Sequence, residues 1–214
     1  MKYSALRRSL FVGALVLALS SCLSTDVTID LRDDQDLRLH LVYSMPRAVW
    51  ELGVFDSTSP ERAIPISERD AREAADLYRD VSLAGHTVRE DGETVTVEME
   101  YSVGSAESLT GLWGWAGDGQ LELDLEAGSI RVPVTGDVSE VDSEQRELIL
   151  EVFREQQFRL TLNAPGALQT TGPEVQEASW QSASDDRSAT WVAPMGPLML
   201  SHEDSAVEAH WEVP

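Results

Sequence analysis

Cysteine and lysine are almost absent from this chain of 214 residues, which contains one of each, Cys22 and Lys2. A single cysteine cannot close an intramolecular disulfide or build a site with several thiolate ligands. Phosphate-binding glycine loops, GxSxG elbows and HExxH motifs are also missing. The sequence contains no recognisable set of catalytic residues, so we predict that the protein is not an enzyme and that it uses no metal or cofactor.

Positive charge is scarce throughout the sequence. The chain has 16 basic residues (Lys and Arg) and 38 acidic ones, which gives a formal net charge of −22. A body so acidic repels phosphate backbones and anionic lipid surfaces. We therefore expect no nucleic-acid partner.

The first 21 residues have the pattern of an export leader. Lys2, Arg7 and Arg8 form a basic start, and an apolar segment follows from residue 10 to residue 19. Such a segment is too short to remain in a bilayer as a spanning helix. The run Leu19-Ser20-Ser21-Cys22 resembles a bacterial lipobox, in which the thiol is acylated and cleavage makes the cysteine the new N-terminus.

This resemblance implies that residues 1–21 are a lipoprotein signal peptide and that Cys22 carries lipid such as diacylglycerol and palmitate. Removing the leader takes away three basic residues and no acidic one, which leaves 13 against 38 and a balance of −25. Residues 22–25 would form a short tether that holds the folded body within about 10–15 Å of the membrane. We expect an extracytoplasmic protein, on the periplasmic or outer-membrane side in a bacterium with two membranes. An ordinary signal peptide with a chance cysteine is the alternative.

Alternating apolar and polar residues predict β-hairpins over 26–43, 86–103 and 121–134. Helical spacing after Ser67 and after Asp142 or Ser143 predicts two helices, and Ser105 could cap a third that glycines weaken. Pro133 suggests that its strand lies at a sheet edge. We predict one α+β domain over 26–214, with an antiparallel sheet built from hairpins and two or three helices packed on one face.

The C-terminal order "FRLTLNAPG", "TTGPEVQEASW" and "RSATWVAP" followed by an apolar strand resembles the LppM-like domain of bacterial lipoproteins. The hairpin behind the lipid-bearing cysteine and the order hairpin, helix, hairpin are similar too. Two departures are a Thr170-Thr171-Gly172 turn in place of Thr-Asn-Gly, and no membrane-spanning helix before Pro214. The resemblance implies a sheet partly covered by helices, an apolar groove suited to lipid or glycolipid, and no catalytic residues.

The stretch "GLWGWAGDG" offers the best candidate ligand contacts. Leu112, Trp113 and Trp115 could form a mobile apolar lip that contacts a lipid tail or a sugar ring. The alternative is structural, with the two indoles closing the end of the sheet. Three further tryptophans, Trp180, Trp191 and Trp211, lie in predicted strands and are expected in the core.

The remaining polar residues predict solvent-exposed surface. Glu98 and Glu100 share one face of a strand, a pattern more typical of solvated sheet than of a calcium site or acid/base pair. His40 is expected to point outward, and His202 lies in a polar break. We conclude that a membrane-anchored, acidic lipoprotein of the cell envelope binds a lipid or other amphiphilic ligand between sheet and helices. The alternative is a structural or interaction protein that contacts an envelope partner.

Overall fold

The computed structural model describes residues 24–32, 36–47, 50, 67–116, 121–134, 143–171, 181–184, 186–200 and 206–213. The strands within them are β1 Ser24–Asp30, β2 Leu37–Pro46, β3 Val81–Asp91, β4 Thr94–Val103, β5 Glu122–Asp124, β6 Ser129–Pro133, β7 Gln157–Asn163, β8 Leu168–Thr171, β9 Gln181–Ser184, β10 Ser188–Pro194 and β11 Ala206–Trp211. The helices are α1 Glu68–Asp76, α2 Ala106–Ala116, α3 Ser143–Val152 and α4 Met195–Met199. This content confirms the α+β class.

All three predicted hairpins are present. Strand β1 pairs antiparallel with β2, β3 with β4, and β5 with β6. Gly92 has φ 59° at the turn between β3 and β4, a left-handed conformation that glycine adopts without steric cost. Local alternation and turn residues were therefore sufficient to locate these pairs.

The strands combine into two sheets. The larger has the order β3-β4-β2-β1-β7-β10-β9, and the smaller has the order β5-β6-β11-β8. Our expectation of one antiparallel sheet was too simple, because β1 pairs with β7 in parallel and the tail strands divide between both sheets. These pairings join segments far apart in sequence, on which local periodicity carries no information.

Apolar side chains on the inner face of the large sheet line up across strands. One row crosses five strands through neighbouring positions in register: Met99, Leu41, Val27, Leu160 and Trp191. All five are buried, and they belong to one hydrophobic cluster that includes buried residues of the smaller sheet, such as Ile130 and Val207. The core therefore lies against the inner face and is completed by the second sheet and the helices.

Pro133 does not lie on an edge strand, so that prediction was wrong. Strand β6 lies between β5 and β11. Pro133 ends β6 and pairs only with Ala206 of β11, since β5 reaches no further than Arg131. Its missing N–H therefore falls beyond the last bond to β5, and one proline is tolerated in an internal strand.

The three predicted helices start where the sequence indicated, whereas α4 was not predicted. Ser67 Oγ accepts a hydrogen bond from Asp70 N at 3.1 Å, which caps α1. Helix α1 packs on β3 through Ala71, Ala74 and Ala75, and α2 contacts β2, β4, β5 and α1. Among the described residues, no helix is both long and apolar enough to cross a bilayer.

Candidate functional site

Helix α2 lies where the two sheets meet, and it carries all three predicted ligand contacts. Ser105 Oγ accepts a hydrogen bond from Ser108 N at 3.2 Å, so the predicted cap does start a helix. The helix then buries Leu109, Leu112 and Trp113. Because α2 touches β4 of the large sheet and β5 of the small one, these side chains fill the space between the sheets.

Two of the three predicted ligand residues are thus placed in the core rather than at an open lip. Leu112 is 1% exposed and Trp113 is 8% exposed. Trp115 belongs to α2, but its side chain lies outside the described part of the chain, as does the whole of Cys22. The burial of Trp113 agrees with the structural alternative. The ligand-binding role of the three residues stays a prediction.

Trp191 contributes a polar atom to the same interior. Its side chain is 1% exposed and lies on the inner face beside Leu160 of β7. Within the described residues, Trp191 Nε1 has no hydrogen-bond acceptor. A buried donor without an acceptor costs about 1–3 kcal/mol. The sequence predicted that Trp191 is a core residue but gave no signal of this N–H.

A carboxylate at the start of α2 was also missed. Asp80 accepts a hydrogen bond from Ser108 Oγ, and the hydroxyl groups of Ser108 and then Ser105 lower the pKa of Asp80 below its usual value. Gly104 N donates to Asp80 O at 2.8 Å. This cluster fixes the chain between α1 and α2 and so positions the helix that carries Trp113.

The outer face of the large sheet is polar, as predicted, and its charged side chains also form ion pairs that the sequence did not indicate. His40 Nε2 lies 3.0 Å from Glu98 Oε1, and Arg89 Nη2 lies 3.3 Å from Glu98 Oε2. Arg38 pairs with both Glu100 and Asp36. No group of three or more His, Cys, Asp or Glu residues suited to a metal ion occurs in the part of the chain that the structure describes. These acids form salt bridges on a solvated surface.

The end of the large sheet at which β1 begins is built by distant segments. Ser24 Oγ donates to Gln156 Oε1 at 2.8 Å. Met195 N donates to Gln156 O at 2.9 Å. Helices α3 and α4 therefore lie beside the first residue of the first strand.

The solved structures that are similar to this chain include one that matches it over most of its length. It is the folded domain of the LppM protein of Mycobacterium tuberculosis, solved by NMR. The match has a TM-score of 0.50 and 13% sequence identity, and it covers 90% of this chain and 92% of that one. No protein-family model and no curated protein matches the sequence. The chain therefore has an LppM-like fold.

Proposed function

We propose that this protein is an extracytoplasmic lipoprotein, anchored to a membrane through lipid on Cys22, that has no enzymatic activity and binds an amphiphilic ligand between its large sheet and its helices. The anchor is supported by the lipobox-like run and by the start of β1 at Ser24, two residues after Cys22. The LppM-like fold agrees with this assignment.

The single observation that carries the ligand proposal is the buried N–H of Trp191. Trp191 pairs with Leu160 of β7 on one side and with Ser182 of β9 on the other, and its buried side chain belongs to the hydrophobic core cluster, so an occupant must be largely apolar. The same occupant must offer one acceptor to Trp191 Nε1, because burial of that group without an acceptor is costly. A lipid with acyl chains and ester carbonyl groups meets both requirements.

Lipid extraction of purified protein tests this proposal. The mature chain with Cys22→Ser would be secreted without its anchor, purified without detergent, extracted with organic solvent and analysed by mass spectrometry. We expect a lipid or glycolipid in a defined ratio to protein. Absence of any co-purified lipid, with unchanged thermal stability after delipidation, would overturn ligand binding.

Two tryptophan variants identify the contact. Trp191→Phe removes the N–H and keeps an aromatic ring, so retained lipid should fall several-fold. Trp211→Phe is the matched control, because Trp211 is also buried but lies in the smaller sheet. Equal lipid retention by both variants would remove the role assigned to Trp191.

The second candidate is a structural or interaction protein that contacts an envelope partner without a small ligand. The burial of Leu112 and Trp113 favours it, since these side chains occupy the proposed groove themselves. In that case the secreted chain yields no lipid, and cross-linking in cells captures a protein partner. Recovery of that partner should then depend on Trp115 rather than on Trp191.

A further inference from the structure

We propose that the anchored domain rests on its bilayer in one fixed orientation, with the end formed by α3 and α4 against zwitterionic lipid headgroups and Leu150 in contact with lipid. This inference rests on the proposed lipid anchor at Cys22. It goes beyond anchoring because it assigns a membrane-contact surface to named residues.

Chain length determines which end faces the membrane. Two residue steps separate Cys22 from Ser24, and a fully extended chain covers at most about 7 Å in that distance. Ser24 lies at one end of β1, in the middle of the large sheet between β2 and β7. Strand β1 is seven residues long, so its opposite end at Asp30 lies about 20 Å farther away.

Hydrogen bonds and close packing connect this anchor-proximal end to α3. Ser24 is hydrogen-bonded to Gln156, and Gln156 to Met195. The next residue, Gly196, packs so closely on α3 that an added Cβ would lie 3.5 Å from Leu150 Cα. Each of these contacts joins atoms only a few ångströms apart, so α3 and the anchor must lie at the same end of the molecule.

An exposed leucine lies at this end. Leu150 is 39% exposed, one of only four large apolar side chains that are exposed among the described residues. Another is Leu77, 63% exposed, which closes α1 and precedes the start of β3. Strand β3 begins at Val81 opposite Val103, and Val103 pairs with Leu37 at the far end of the sheet. The two leucines therefore mark opposite ends.

Charge selects the kind of headgroup. At the anchor-proximal end Arg47 pairs with Glu90 at 3.4 Å and Arg154 pairs with Glu151. Exposed Asp91 and Glu93 at the adjoining turn add negative charge. Anionic lipid would be repelled by this end, whereas zwitterionic phosphatidylcholine or phosphatidylethanolamine would not.

Site-specific fluorescence tests the orientation. The sulfur of Cys22 is a thioether in the acylated protein, so a cysteine introduced by Leu150→Cys or Leu77→Cys is the single free thiol. Each variant would be labelled with bimane and reconstituted on phosphatidylcholine vesicles that contain a lipid with a headgroup-level nitroxide. We expect at least threefold stronger quenching at position 150 than at position 77.

A second pair of labelled positions, both outside α3, controls for an effect of the label at position 150 on that helix. Glu93→Cys lies in the turn at the anchor-proximal end, and Arg32→Cys lies just beyond β1 at the other end, both exposed. The same ordering, with position 93 quenched more strongly than position 32, is expected. Equal quenching at both ends, or stronger quenching at the distal positions, would overturn the orientation.

Vesicle flotation separates the failure of this inference from the failure of the anchor. Variants that float with vesicles but show no difference between ends refute only the orientation. Variants that do not float refute the anchor and the orientation together. A label at position 150 that is shielded from aqueous iodide without quenching by the lipid nitroxide would indicate a protein partner at this surface and would also refute the proposal.

Discussion

The ring of Tyr78 lies directly against the backbone of Gly111 in α2. A Cβ added at Gly111 would come within 2.9 Å of Tyr78 Cζ, closer than real side chains allow. Tyr78 follows α1 and packs against the core, so this contact joins the two helices that cover the large sheet. It also explains why a helix with poor propensity keeps a glycine in its middle.

We therefore expect Gly111→Ala to destabilise the protein by about 1–3 kcal/mol. Alanine would gain up to about 1 kcal/mol in helix propensity, but overpacking against a partly buried ring costs more. Urea unfolding followed by tryptophan fluorescence measures the difference. Adding Tyr78→Ala should remove most of the penalty specific to Gly111→Ala.

Gly85→Ala is the matched control for that substitution. The nearest atom to a Cβ at Gly85 is Glu100 Cβ at 3.9 Å, an ordinary van der Waals contact. Its effect should stay within about 0.5 kcal/mol, as for most surface changes. A loss at Gly85 as large as at Gly111 would show that the helix contact is not the cause.

Leu160 should be among the most sensitive positions of the core. It lies on β7 between Val27 and Trp191, in the row that crosses the large sheet, and it is fully buried. Leu160→Ala should cost about 2–5 kcal/mol through lost burial and a residual cavity. Thr161→Ala, one residue along on the outer face, should cost far less although it breaks a 3.0 Å contact with Thr190. Similar losses at both positions in chemical denaturation would contradict the assignment of the inner face.

The hydrogen bond from Ser108 to Asp80 predicts a dependence of stability on pH. It lowers the pKa of Asp80 in the folded state, so its stabilisation is present above the unfolded-state value and is lost as pH falls through the folded-state value. Ser108→Ala should raise the pKa of Asp80 toward normal, which NMR titration of the side-chain carboxyl carbon would show. The stability difference from wild type should be largest near neutral pH and shrink in acid. Ser82→Ala, at an exposed serine of β3, should leave the pKa of Asp80 unchanged.

How much of this fold was predictable depended on whether the signal was local. Asp91-Gly92 located a hairpin, and Ser67 located a helix start, because turns and caps are determined by neighbouring residues. The parallel pairing of β1 with β7 was not predicted, since it joins Val27 to Leu160 across most of the chain. The prediction of an edge strand from Pro133 was wrong because a proline at the last position of a strand can lie in an internal strand.

The candidate site shows the same division. Periodicity placed Trp191 in the core correctly, but an unpaired indole N–H depends on every group packed around it. Leu112 and Trp113 were recognised as a cluster, whereas their burial follows from α2 lying between two sheets that the sequence did not distinguish. The serines that bind Asp80 were assigned at most a capping role, because the carboxylate lies 28 residues from Ser108.

The last prediction concerns the ion pairs of Glu98 on the acidic outer face. Glu98→Gln and Arg89→Gln each break the same pair, whose side chains are 35% and 72% exposed, so each should lose less than about 1 kcal/mol from it. Each substitution also changes the net charge, and this second contribution to the free energy of unfolding has opposite signs in the two variants. A chain with a formal charge of −22 gains stability when a negative charge is removed and loses stability when a positive charge is removed. At low ionic strength Arg89→Gln should therefore be the more destabilising of the two. At 1 M salt, where the screening length falls to about 3 Å, urea midpoints of the two variants should converge. If Glu98→Gln is the more harmful variant at low salt, the local contacts to His40 and Arg89 outweigh the repulsion of the whole protein.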